Sequence, residues 1–308
     1  MARVVVRSRL SSPRSGARWW RGLAIAAWLA CATAAHAEVR LGDDRAREVT
    51  LPAAPARIVS LVPSLTEAVC ALQACDRLVG TDRASNFPPQ VRALPKLGGL
   101  EDPAIEQLVK LAPDVVLAAK SQRLVERLEA LGLRVVVLEA QSHADVQRAL
   151  TAIGTLLERP AAAAKAWRDI DADLARAAAR VPPALRGRSV YLEVASAPYA
   201  AGGASFIGET LARLGLHNVV GAEQGPFPRL NPEYVIRARP DIVMLAARDA
   251  RGLRDRPGWT ALPAIEQGHV CAFEPAQWDV LVRPGPRIGE AALVIADCLA
   301  ALPAASHR

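Results

Sequence analysis

Histidine, methionine and the aromatic side chains are scarce in this chain. It has five histidines and two methionines in 308 residues, and aromatics make up 4% of it. The four histidines beyond residue 37, at His143, His217, His269 and His307, are scattered and lack the short spacing by which side chains close on a metal, so no metal site is expected. A Gly-x-Ser-x-Gly elbow is absent, as is any grouping of nucleophile, base and orienting acid, and no residue is assigned a catalytic role. Gly202-Gly203-Ala204-Ser205 precedes a helix but lacks the Lys-Ser/Thr ending of a phosphate-binding loop, and it reads as a tight turn.

Charge of one sign is missing as well, once the first 37 residues are set aside. Six arginines there precede an apolar run from Gly22 to Ala34 that ends in Ala35-His36-Ala37, the pattern of a cleaved export signal. The run falls short of the roughly 18 residues that span a bilayer. Cys31 could carry a lipid anchor, but Trp28 stands three positions before it where a lipobox has a small aliphatic residue, so lipidation stays open. The mature chain is expected to start at Glu38, after export. Removing the six arginines from 38 basic residues leaves 32 against 31 acidic ones. That balance, with no basic run later in the chain, speaks against nucleic acid as a partner. Four mature cysteines remain, Cys70, Cys75, Cys271 and Cys298, in a compartment that permits disulfides. One pairing joins Cys70 to Cys75 and Cys271 to Cys298, and it requires the helix carrying Cys70 to end before Cys75. Buried free thiols are the alternative.

What the chain does contain is a repeated unit. Ile105 to Leu117 and Pro232 to Met244 each read as a glutamate opening a helix, a basic residue four positions on, and a Pro-Asp turn launching a short apolar strand. Repetition of one supersecondary unit implies two similar lobes. Around it, apolar strands at Ile58 to Val62, Leu78 to Gly80, Asp114 to Ala118 and Arg134 to Leu138 alternate with helices at Ser64 to Ala74, Ile105 to Leu111, Gln122 to Leu131 and Ala144 to Leu157. The second half repeats the pattern, with strands at Val190 to Val194, Ile242 to Leu245 and His269 to Phe273 and helices from Phe206, Asn231, Pro257 and Pro286. Such alternation argues an α/β protein with parallel sheets flanked by helices. Between the halves, Ala161 to Arg180 is alanine-rich, has no glycine and stops at Pro182-Pro183, which predicts one long helix joining the lobes. The expected organisation is a signal peptide at 1–37, an N-terminal lobe at 38–156, a connecting helix at 157–182 and a C-terminal lobe at 183–308.

Glu106 and Glu233 occupy matched positions in the two copies. Each could simply complement its helix dipole, but their equivalence predicts a two-point docking surface for a pair of arginines on a symmetric partner. Four loop aromatics sit beside prolines or acids: Phe87, Tyr199, Phe227 and Trp278. Rings braced on loops at the ends of parallel strands would form the wall of a site for a large planar or partly apolar ligand.

The segments Arg57-Ile58-Val59-Ser60-Leu61, Pro63-Ser64-Leu65-Thr66-Glu67, Leu78-Val79-Gly80, both glutamate-to-Pro-Asp units and Pro286-Arg287-Ile288 together resemble the periplasmic substrate-binding proteins of ABC importers. The likeness is to those carrying cobalamin, haem and iron-siderophores, whose lobes are joined by one long helix, and it covers nearly all of residues 57–302. Asn86 to Gln90, Pro198-Tyr199, Pro226 to Pro228 and Gln277-Trp278 are most similar to the ligand-contacting loops of cobalamin-binding members. The resemblance implies a monomeric, non-enzymatic receptor that binds cobalamin or a related corrinoid and has no resident cofactor. It also implies an inner-membrane permease with its ATPase as partner, docked through Glu106 and Glu233. Arg229 and Arg283 are expected at the polar edge of the ligand. Cobalamin-binding members carry tryptophans where this chain has Leu100 and Ala119, which keeps haem and ferric siderophores open as cargo. A periplasmic tetrapyrrole-modifying enzyme is the alternative from another class.

Overall fold

The computed structural model describes residues 38–99, 102–120, 122–195 and 199–303. The signal segment with Cys31, and Leu100 and Pro198 among the quoted loop positions, lie outside the described residues. The strands are β1 (Val39–Gly42), β2 (Glu48–Leu51), β3 (Ile58–Ser60), β4 (Leu78–Thr81), β5 (Val115–Ala118), β6 (Val135–Val137), β7 (Ser189–Ala195), β8 (Tyr199–Ala200), β9 (His217–Asn218), β10 (Ile242–Ala246) and β11 (Val270–Phe273). The helices are α1 (Pro63–Ala71), α2 (Ile105–Lys110), α3 (Gln122–Ala130), α4 (His143–Leu156), α5 (Pro160–Arg180), α6 (Phe206–Arg213), α7 (Pro232–Ala238), α8 (Ala247–Ala250), α9 (Pro263–Glu266), α10 (Pro275–Leu281) and α11 (Ile288–Ala301).

Two parallel sheets result, one per lobe. The first runs β4-β3-β5-β6 with every pair parallel. The second runs β11-β10-β7-β8 with β9 beside β7, and only the β7–β8 pair is antiparallel. Their strands read as unbroken apolar runs because both faces are covered. Side chains alternate between faces along a strand, and the alternation divides the interior. Ile58, Val115 and Leu117 from the first sheet join Val190, Leu192, Ile242 and Met244 from the second in one core, with Ile170 and Leu174 of α5 between them. The opposite faces bury Val59 and Val116 in one outer layer and Tyr191, Val243 and Leu245 in another. The lobes therefore share a core along the connecting helix.

Helix α5 spans 21 residues, with Pro160 in its first turn, and buries Ala163, Ile170, Leu174 and Ala177. It packs closely on α11 because Gly289 faces it: a Cβ there would sit 2.5 Å from the Cβ of Asp173. Helix α4 is fixed at its start by a reciprocal cap, in which the Ser142 side chain accepts from the Asp145 N–H and the Asp145 carboxylate accepts from the Ser142 N–H.

The internal repeat is reproduced in detail. Ala112 and Arg239, each just before the proline of its Pro-Asp turn, both take left-handed backbone with φ of 43° and 47°. The Asp114 carboxylate then accepts from the N–H groups of Ala56 and Arg57 at 2.8 Å each, tying the entry of β3 to that of β5. Asp241 does the same for β7, accepting from the Ser189 N–H at 2.9 Å and its hydroxyl at 2.7 Å. The aspartate of each unit is thus a strand anchor.

Three expectations are corrected. Helix α1 ends at Ala71 rather than Ala74; Gln73 turns left-handed with φ 61°, and the chain doubles back so that Cys70 bonds Cys75. Cys271 is bonded to Cys298. The segment from Pro257 to Leu262 is no α-helix, because Gly258 at φ 79° breaks it into a single turn at Trp259–Ala261 before α9. Trp278 lies in helix α10 rather than in a loop. The antiparallel hairpin β1–β2 was not anticipated, although the alternation in Val39–Gly42 and Glu48–Leu51 carries its signature.

Candidate ligand-binding site

Exposed large apolar side chains are informative where they gather rather than where they stand alone. Among the described residues five remain exposed, and three of them are Phe87 at 39%, Tyr199 at 41% and Phe227 at 36%. All three lie on chain that follows the carboxyl end of a sheet strand: Phe87 after β4, Tyr199 after β7, Phe227 after β9. Carboxyl ends of parallel strands are where such sheets present ligand sites.

The segments carrying Tyr199 and Phe227 are paired through their backbones. Tyr199 bridges Arg229 in antiparallel fashion, and the Ala200 N–H donates to the Pro228 carbonyl at 3.1 Å. The Gly202 to Ser205 turn lets this loop close down, since a Cβ on Gly202 would lie 2.1 Å from the Gly225 carbonyl oxygen. Ser205 then caps α6 by accepting from the Gly208 N–H at 3.0 Å, and Phe227 rests edge-on against Phe206 of that helix with centroids 6.0 Å apart. The Gly-Gly-Ala-Ser stretch is a turn that seats the aromatic loop. Arg229 is exposed, and neither its guanidinium nor the Tyr199 hydroxyl meets a partner among the described residues.

Phe87 is held from below and from the other lobe. Its loop sits on a buried polar chain in which the Thr66 hydroxyl bonds Ser60 and Ser85 at 2.9 Å each and the Ser85 hydroxyl donates to Asp82. Lys96 donates to Thr81 Oγ1 at 2.9 Å, the Ser85 carbonyl at 2.7 Å and the Val91 carbonyl at 3.0 Å. Burial pulls the Lys96 ammonium below its ordinary value, with the Asp82 carboxylate opposing. From the other lobe, Arg283 donates to the Ala84 carbonyl at 3.1 Å and to Asn86 Oδ1 at 2.8 Å, while the Asn86 amide donates to Asp279 at 2.8 Å. These bonds bring the carboxyl ends of the two sheets together. At their centre is Glu67, 3% exposed, which accepts from Arg283 and Arg287.

Residues 58–276 match the periplasmic binding protein family. The chain belongs to that family. This periplasmic binding protein is 28% identical over 272 residues to an uncharacterized ABC transporter substrate-binding lipoprotein of Bacillus subtilis, covering 85% of each chain. It is 25% identical over 262 residues to a vitamin B12-binding protein of Pectobacterium atrosepticum, covering 81% of this chain and 90% of that one. Among solved structures it resembles a periplasmic heme binding protein from Pseudomonas aeruginosa with a TM-score of 0.69 at 25% identity, over 80% of this chain and 93% of that one. Its fold is that of the family, two α/β lobes on one long helix.

The other anticipated residues are placed as follows. Trp278 is 8% exposed and stacked on Phe273 with centroids 6.5 Å apart, so it braces the core behind the loops. Arg283 is 8% exposed, and its N–H groups are directed at Glu67, Asn86, Ala84 and Asp279. Glu106 and Glu233 are both exposed in the first turns of α2 and α7, each eight residues before its Pro-Asp aspartate. Asn231 caps α7 by accepting from the Glu233 N–H at 2.9 Å; α2 has no side-chain cap. Glu233 borders a surface groove of about 570 Å³ lined by Ile236, Arg256 and Trp259. The wall of that groove is stiff, because Arg256 makes two bonds to buried Glu193, at 2.7 and 2.8 Å, and lies 4.6 Å from the Trp259 ring centroid. Among the described residues no cluster of three metal-ligating side chains occurs.

Proposed function

We propose that this protein is an exported, non-catalytic receptor that captures a corrinoid, cobalamin or a close relative, and delivers it to an inner-membrane ABC permease and its ATPase. The observation that carries the reading is the exposure of Phe87, Tyr199 and Phe227 at the carboxyl ends of the sheets. Three partly exposed rings, on two loops and the short strand β8, suit an apolar, flat-faced ligand. The corrinoid is cargo, so no resident cofactor is assigned, and the receptor acts as a monomer in the periplasm. The vitamin B12-binding relatives support the ligand class. Glu106 and Glu233 would supply the two carboxylates that meet permease arginines, one on each lobe.

A second reading keeps the receptor and exchanges the cargo for haem. It is favoured by the Tyr199 phenol, which has no partner among the described residues and could ligate iron, and by Arg229, which could meet a carboxylate. Titration calorimetry of residues 38–308 with cyanocobalamin, haemin and a ferric siderophore in parallel separates the readings. One-to-one binding of cyanocobalamin alone is expected. Haemin binding with a shifted Soret band, and silence toward cyanocobalamin, would replace the ligand and keep the receptor.

A further inference from the structure

Helix α1 carries a single charge, the buried Glu67, whose partners come from 216 and 220 residues away in the other lobe. Arg287 grips it with two bonds, Nε to Oε2 at 2.9 Å and Nη2 to Oε1 at 2.7 Å. A two-point grip fixes the guanidinium plane as well as its position. That plane lies against the Phe87 ring, 4.1 Å from its centroid. Arg283 bonds the same carboxylate and also holds the Ala84 carbonyl and the Asn86 side chain, three residues and one residue before Phe87. Burial lowers the Arg287 pKa, but the bonds to Glu67 and the fields of Glu67, Glu290 and Asp279 outweigh it and leave the group above its ordinary value.

We propose that Arg287, oriented by Glu67, is a positioning residue for ligand capture: it stacks on the back of Phe87 and presents the opposite face of that ring to the ligand. A ring on a loop would otherwise turn about its side-chain bonds, and ordering it on binding would cost affinity. Here the far lobe supplies the order in advance, so engagement of the lobes and quality of the ligand wall become one property. The inference rests on the ligand reading of Phe87 given above.

The test is a double-mutant cycle in the full mature chain, with cyanocobalamin and haemin as probes in calorimetry. Arg287→Lys keeps the charge beside Glu67 and loses the planar stack, and Arg287→Met removes both. In the native background each is expected to weaken the bound probe by about five-fold, within the range of a cation–π contact. In a Phe87→Leu background the same changes should alter affinity less than about two-fold, because the ring they act through is gone. Arg287→Lys stands in should Arg287→Met fail to fold. Equal losses in both backgrounds, or no loss in either, would overturn the positioning role while leaving the ligand reading intact. If Phe87→Leu itself leaves affinity unchanged, or neither probe binds, the ligand reading of Phe87 fails and this inference with it.

Discussion

Replacing Phe227 by alanine separates the ligand wall from the scaffold beneath it. The ring is 36% exposed and touches the protein through its edge contact with Phe206. Full burial of a phenylalanine is worth about 1.5–3 kcal/mol, so covering the exposed third contributes about 0.5–1 kcal/mol. Stacking on a flat partner adds about 0.5–1.5 kcal/mol. The sum, about 1–2.5 kcal/mol, corresponds to a Kd raised by about 5- to 70-fold. The same substitution removes the Phe206 contact and the burial of the other two-thirds of the ring, about 1.5–3.5 kcal/mol together, which lowers Tm by several degrees in a chain this long. Calorimetry with cyanocobalamin and haemin, paired with a thermal melt, reads both quantities. A variant that melts several degrees lower yet binds its ligand with native affinity would refute the reasoning, since it would show that Phe227 serves α6 and not the ligand.

The remaining predictions address docking, core and pH. Glu106→Ala combined with Glu233→Ala should leave ligand affinity nearly unchanged and abolish most uptake in cells; normal import by the double variant would remove the two-point docking surface. Glu193→Ala leaves Arg256 half-buried without its bidentate partner and should cost about 3–5 kcal/mol in urea unfolding, with a loss below about 1 kcal/mol counting against the strut. Burial raises the Asp145 carboxyl, but Arg148 and the N–H groups of Gln141 and Ser142 overcome this and hold it at about 2, below the ordinary 3.8. Its contribution is therefore complete above 3.8 and fades as pH falls toward 2, so Asp145→Asn should flatten that part of the stability curve. Burial likewise depresses His143, which bonds Thr210 across the lobes and faces Glu209, Arg213 and Asp171. Unfolding titrations should show stability declining as pH drops below 6.5, and His143→Asn should remove part of that decline.

Much of the fold was legible because its signals are local. Apolar runs with both faces buried, an uninterrupted alanine-rich stretch and the two Pro-Asp units each depend on residues close in sequence, and the strands, α5 and the matched aspartates follow them. The site was legible in part. Four aromatics were read as a loop-borne wall; Phe87, Tyr199 and Phe227 are exposed, whereas Trp278 lies in no loop, because Pro275 starts helix α10 and one turn of helix rotates the indole onto Phe273. Glu67 was noted only as part of a family segment. Its one local signal is a charge within the buried face of an otherwise uncharged helix, and its meaning depends on arginines more than 200 residues away. Arg283 was expected at the ligand edge from its loop position, and the structure sets it against that same carboxylate.

The shared core has a kinetic consequence. Two lobes that close like jaws can trap a ligand by shutting behind it, and release it by relaxing. Here α5 and α11 interlock at Gly289, one apolar interior runs beneath both sheets, and a buried carboxylate fastens the lobes at their rims. On the function proposed above, such a body would meet its cargo with little closure, and residence would rest on the contacts made. On that same function, discharge would require the permease to part the cluster of Glu67, Arg283 and Arg287.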